Sequence, residues 1–105
     1  MTTMYLVQVL LPTYDNAGQR MSREHLDRVR TELTQRFGGV TAHVRSPAEG
    51  LWEDRQGVVR RDDIAIFEVM TETLEPGWWA SYRLDLEHRF AQEEIVIRAT
   101  AFERL

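Results

Sequence analysis

Four polar side chains sit at positions where extended chain would bring them onto one surface: Gln8, His43, Glu68 and Arg98. A histidine beside a carboxylate is the commonest acid–base unit in enzymes. A guanidinium holds a carboxylate or phosphate through a planar fork of donors. One reading therefore takes His43 or Glu68 as a base, with Arg45 or Arg98 holding an anionic substrate and Gln8 as a further ligand contact. The plainer reading has these groups only satisfying one another, with Glu68 neutralised by Arg98 or Arg45. His–carboxylate pairs in proteins are more often structural than catalytic.

Two aromatic residues extend the set of ligand-binding candidates. Trp52 follows Gly50-Leu51 on a polar segment, where an indole either stacks on a ligand or packs the segment against the body. Tyr14 lies in the turn-rich stretch Thr13 to Arg20, which a compact domain rarely leaves so long without a use. The remaining histidines, His25 and His88, fall on helical segments as solvated positions. No two histidines share a metal-ligand spacing, so no metal site is expected. The absence of cysteine removes thiolate nucleophiles, disulfides and thiolate metal sites together. No cofactor motif is present, and none is expected to bind.

The elements that must position these residues follow from periodicity. Met4 to Leu11 is an almost wholly apolar run ended by Pro12, which suits a central strand. Ser22 is a good N-cap, Met21 and Leu26 form a hydrophobic staple, and Leu26, Val29, Leu33 and Phe37 fall on one helix face before Gly38-Gly39. A second strand is expected at Val40 to Arg45, an extended hairpin arm over 46–62, and a third strand at Ile64 to Met70. Pro76 opens a second helix whose Trp79, Tyr82, Leu86 and Phe90 repeat the first helix's spacing. A last strand is expected at Ile95 to Ala101. The order predicts an α+β, ferredoxin-like βαββαβ sandwich, with antiparallel sheet order 4-1-3-2 and both helices on one face. The chain is expected to be a single domain over 1–105.

Strand alternation then divides the residues. Tyr5, Val7, Val9 and Leu11, with Ala65, Phe67, Val69, Ile95, Ile97, Ala99 and Ala101, form the helix side. The other side mixes Leu6, Leu10, Ile64, Ile66, Met70 and Val96 with Gln8, Glu68 and Arg98, and His43 and Arg45 join it. That face is too apolar to leave in water. A homodimer through the open sheet face is expected, either tightly packed or enclosing a small-molecule cleft. The topology also gathers the first loop, the arm and the turn after the second helix at one end. Trp78-Trp79 lies at the other end, with Trp79 in the core.

Bulk properties close off other classes. The chain has 105 residues and net charge −4, and Arg60-Arg61 is followed at once by Asp62-Asp63, so nucleic acid is not an expected partner. No apolar run reaches the roughly 20 residues that span a bilayer, so no membrane partner is expected either. The N-terminus lacks a signal-peptide pattern, and a cytoplasmic location is expected. There is no CxxC of a metallochaperone, no Gly-rich phosphate loop after the first strand, and no aromatic platform of an RNA-recognition motif, because Phe67 and Tyr5 point to the helices.

The runs Phe37-Gly38-Gly39-Val40-Thr41, Glu49-Gly50-Leu51-Trp52 and Gly57-Val58-Val59, with the acidic third strand, resemble small uncharacterised bacterial proteins of ferredoxin-like type. The resemblance covers about residues 30 to 70, implies a fold, and carries no established catalytic residues. The architecture is also similar to dimeric α+β barrel proteins, some of them small monooxygenases, isomerases or decarboxylases. Three functions stay open: a homodimeric small-ligand-binding or accessory protein, a cofactor-free enzyme of the dimeric-barrel kind acting on a small anionic metabolite, and a regulatory ligand sensor.

Overall fold

Ser22 stands in extended conformation, and its hydroxyl accepts from the His25 backbone N–H, which starts helix α1 (Arg23–Phe37). Gly38 ends that helix in the left-handed region at φ 82°, where a β-carbon is costly. Pro76 opens helix α2 (Pro76–Arg89), where a missing N–H leaves no bond unmade. The strands are β1 (Thr3–Pro12), β2 (Thr41–Glu53), β3 (Val59–Thr71) and β4 (Val96–Glu103). The computed structural model of the chain describes residues 3–53 and 59–105, and side chains outside 44–63.

The sheet order is β2-β3-β1-β4, the expected 4-1-3-2 read from the other end. All three pairings are antiparallel. The apolar strand β1 is central, with Val7 opposite Val69 on β3 and Ala99 on β4. Beneath the helices, Val7, Val9, Leu11, Ala65, Phe67, Val69 and Ile95 meet Leu26, Val29, Leu33, Trp79, Tyr82, Leu86 and Phe90 in one buried cluster. Both helical stripes read from the sequence are therefore in the core, except that Phe37 packs half-buried against its edge.

Three boundaries differ from the expected ones. β2 and β3 run on as the expected hairpin arm, with Trp52 opposite Arg60 and Glu53 opposite Val59, so both strands are longer than Val40 to Arg45 and Ile64 to Met70. The pairing of β2 with β3 lapses between His43 and Ala48, where four residues face one across the ladder. Pro47 lies in that gap and has no N–H to give a ladder. β4 starts one residue late and extends to Glu103. Ala99 and Ala101 are on the helix side as expected, yet both are exposed. β4 is an edge strand, its side chains there are too short to reach α2, and the helices cover β1 and β3 first.

The helices are tied to each other by charge. Arg89, with a side chain only 12% exposed, donates to both carboxylate oxygens of Glu32 at 2.7 and 3.2 Å and to Asp85 at 2.6 Å. The Tyr82 hydroxyl donates to the same Glu32 at 3.2 Å. Burial first, and then the Glu32 charge, push the Tyr82 phenol far above its usual range. Its proton therefore stays in place where an unfolded tyrosine, near pH 10, has begun to lose its own. Stability from this group is full below about pH 10 and declines above it. Tyr82→Phe is expected to cost about 1 kcal/mol at pH 7 and to make stability fall less steeply between pH 9 and 11. Urea unfolding at the three pH values checks this, and parallel slopes for both proteins would contradict it.

Candidate functional site

The helix-free side of the sheet carries the candidates. The register places Gln8 opposite Glu68 on one side and Arg98 on the other, so the three side chains form a row across β3, β1 and β4. Arg98 Nε donates to Gln8 Oε1 at 2.7 Å. Gln8 Nε2 donates to Glu68 Oε1 at 2.8 Å. Because a guanidinium only donates and a carboxylate only accepts, the Gln8 amide has a single orientation. His43 on β2 stands beside the row, opposite Ile66, with Nε2 3.8 Å from Glu68 Oε2, too long for a direct hydrogen bond.

This corrects the expected pairing. Arg98 does not neutralise Glu68 directly, because β1 lies between their strands and Gln8 occupies the intervening position. Two strand spacings, roughly 10 Å, separate the backbones of Glu68 and Arg98. Among the described residues, the two Nη groups of Arg98 have no protein hydrogen-bond partner and remain available to an anion. The Glu68 carboxylate is 23% exposed and has its second oxygen toward His43.

Apolar rows flank the polar one. Leu10 sits between Ile66 and Val96, and Leu6 between Met70 and Thr100. Met70 is 53% exposed and Val96 48%, large values for side chains of that kind. The alternation read from the sequence thus holds on both sides of the sheet.

The other candidates are not brought into this row. Tyr14 stands in the loop after Pro12, six residues and so about 20 Å of extended chain from Gln8. Its carbonyl accepts from Gln92 Nε2 at 2.6 Å and its side chain is exposed. Asn16 N–H donates to Ala91 O, so this loop and the α2–β4 turn do meet at one end, where the β2–β3 arm also leaves. Asp15, part of the same expected cluster, folds the loop by accepting from the Ala17 and Gln19 backbone N–H groups. The side chains of Arg45 and Trp52 lie outside the described residues. Arg45 falls in the gap of β2 pairing, so simple alternation no longer assigns it a face. His25 bonds with Ser22 Oγ at 2.6 Å, His88 is exposed, and no group of three metal-binding side chains occurs among the described residues.

Sequence reasoning missed two clefts. One, of about 460 Å3, is lined by Met4, Arg36, Phe37, Met70, Thr73 and Glu75, at the end of the sheet where β1 starts. Arg36 is paired with Glu75 there and lies over the Trp78 ring at 4.1 Å. The other, of about 270 Å3, lies between α2 and the β4 edge and includes Trp79, Arg83, Ile97 and Arg98. Neither was legible, because both depend on how the β3–α2 turn and α2 sit against the sheet.

The chain shares its fold with a phage SAM lyase. That structure, in complex with S-methyl-5′-thioadenosine, is similar with a TM-score of 0.65 and 13% identity over 92% of this chain and 80% of the other. At that identity the likeness is one of fold. No protein-family profile matches the chain, and no curated protein sequence is similar to it. Of the resemblance read from the sequence, the small α+β fold is supported. Among the described residues no helix is long and apolar enough to cross a membrane.

Proposed function

We propose that the open sheet face is the working surface of a homodimeric, single-domain, cytoplasmic protein that binds a small anionic ligand. The observation that carries this reading is the hydrogen-bonded row Arg98–Gln8–Glu68, with His43 beside it, crossing an apolar face that no helix covers. Apolar side chains around a few fixed polar groups are what small-molecule sites are made of. Four strands at about 4.8 Å spacing and some 26 Å of strand length give a flat projection of about 500 Å2. With side-chain relief that approaches the 800 Å2 or so that each partner contributes to an ordinary stable interface.

In this reading the Nη groups of Arg98 hold the ligand's anion, Gln8 keeps Arg98 in place, and Glu68 with His43 accepts a donor from its other end. Arg45 and Trp52 are proposed as outer contacts, while Tyr14, at the loop end, is too far from the row to touch a small ligand there. Light scattering on the purified protein is expected to give twice the chain mass at micromolar concentration. Thermal-shift screening of small carboxylates, phosphates and nucleosides is expected to raise the melting temperature with at least one, since binding to the native state stabilises it. The shift should vanish in Arg98→Ala. A clean monomer with no shift from any compound would remove the proposal.

A second reading rests on the proximity of His43 to Glu68 and on the fold shared with a lyase. Here the same face is a cofactor-free active site, with His43 or Glu68 as base. S-Methyl-5′-thioadenosine is the natural first probe in the same screen. Product formation lost in His43→Ala and in Glu68→Gln, with folding retained, separates the enzyme from the binding protein.

A further inference from the structure

We infer that the second copy covering the open face is related by a two-fold axis parallel to β1 and passing over Gln8, so that Arg98 of each copy faces Glu68 of the other. The inference rests on the dimeric reading above and fixes its geometry.

The argument is one of charge placement. Two sheets stacked face to face by a two-fold place the axis between them, in the plane of the sheets, and every contact occurs twice. Laterally the polar groups run in the order Glu68 on β3, Gln8 on β1, Arg98 on β4. An axis along β1 reverses that order in the partner. Arg98 then lies over the partner's Glu68, Gln8 over the partner's Gln8, and Glu68 over the partner's Arg98. Positions along the strands are kept, so Leu10 meets Leu10 and Leu6 meets Leu6 at the centre, while Ile66 meets the partner's Val96.

The competing arrangements pair the charges badly. An axis along the polar row keeps each strand over itself and sets Arg98 on Arg98 and Glu68 on Glu68. An axis shifted to lie between β1 and β3 sets Glu68 against the partner's Gln8 and carries Arg98 out over the partner's β2. Like charges brought together in an interface cost several kcal/mol, and opposite ones fix its register. The usual twist of about 30° between stacked sheets turns the row ends past one another without exchanging partners. Arg98 is suited to the contact because Nε alone is used within its own chain, which leaves one Nη group for the partner's Glu68 and the other for the ligand's anion.

The test uses the full chain and three variants: Arg98→Glu, Glu68→Arg, and the two together in one chain. The wild-type protein is expected to dimerise. Each single variant is expected to dimerise at least about tenfold more weakly, because it brings like charges together twice. Mixing the two single variants is expected to restore association to within about threefold of wild type, as a heterodimer, and the double variant is expected to restore it alone. Sedimentation equilibrium reads all four cases, and circular dichroism confirms that each chain is folded. If the wild type is a dimer and the single variants associate as well as it does, the axis is wrong and the dimer stands. If the single variants are monomers and mixing leaves them so, their effect lies within the chain and the axis is again wrong. If the wild type itself is a monomer, the dimeric reading fails first.

Discussion

Phe67→Ala is expected to lower the free energy of unfolding by about 4 kcal/mol, the cost of emptying a phenylalanine site in a tight core. For a chain of this size that corresponds to a fall in melting temperature of roughly 16–30 °C. Phe67 is fully buried, opposite Val9 on the central strand and Ala42 on β2, with both helices closing over the sheet. Its neighbour Ile66 has the same strand and the opposite face. Ile66→Ala is expected to cost under about 1.5 kcal/mol when the protein is measured dilute, because the site is half open. The two variants together test which way the strand faces. Equal costs would mean that the open face is covered from within the chain.

The second large effect is expected at Leu10. It lies between Ile66 and Val96 in the apolar row next to Gln8, on the uncovered side. Leu10→Asp leaves the helix-side core untouched, so the chain should still fold. In a two-fold interface each copy contributes one such carboxylate, and both are removed from water. A weakening of self-association by at least about 100-fold, near 3 kcal/mol, is expected. Sedimentation velocity over a concentration series measures it. Unchanged association in the variant would place the interface on another surface, with the β4 edge the first to examine.

Much of the architecture could be read from local pattern. The alternation in Val7, Val9, Leu11 and in Ala65, Phe67, Val69 is a direct consequence of strand geometry, and it placed the open-face residues without knowledge of the register. The helix starts at Ser22 and Pro76, and the stop at Gly38, are set by backbone chemistry that acts within a few residues. The same pattern brought Gln8, Glu68 and Arg98 to one surface. It could not give the order in which they bond, because that depends on which residues stand opposite across two ladders.

What stayed illegible is what depends on distant elements meeting. Glu32 reads as one more charge on an exposed helix, and Arg89 as a basic residue at a helix end. Only the packing of α1 against α2 makes them partners and draws in Tyr82. Glu87 is similar: its carboxylate accepts from the Ile95 backbone N–H and from Arg83, tying the end of α2 to the start of β4. The paired arm beyond Arg45 was legible, but the lapse around Pro47 was not, because it depends on which residues stand opposite across the ladder.

The two borders of the sheet differ in how they guard against runaway assembly. On the β2 side, the four unmatched residues with Pro47 interrupt the row of free backbone groups that a stray strand could copy. On the β4 side, Val96 to Glu103 runs eight residues without proline, glycine or break. Concentrated or heated solutions should therefore begin to form fibrous aggregate along β4, and a lysine at Ala101, exposed on the helix side of that strand, is the place to raise solubility while sparing both the buried cluster and the open face.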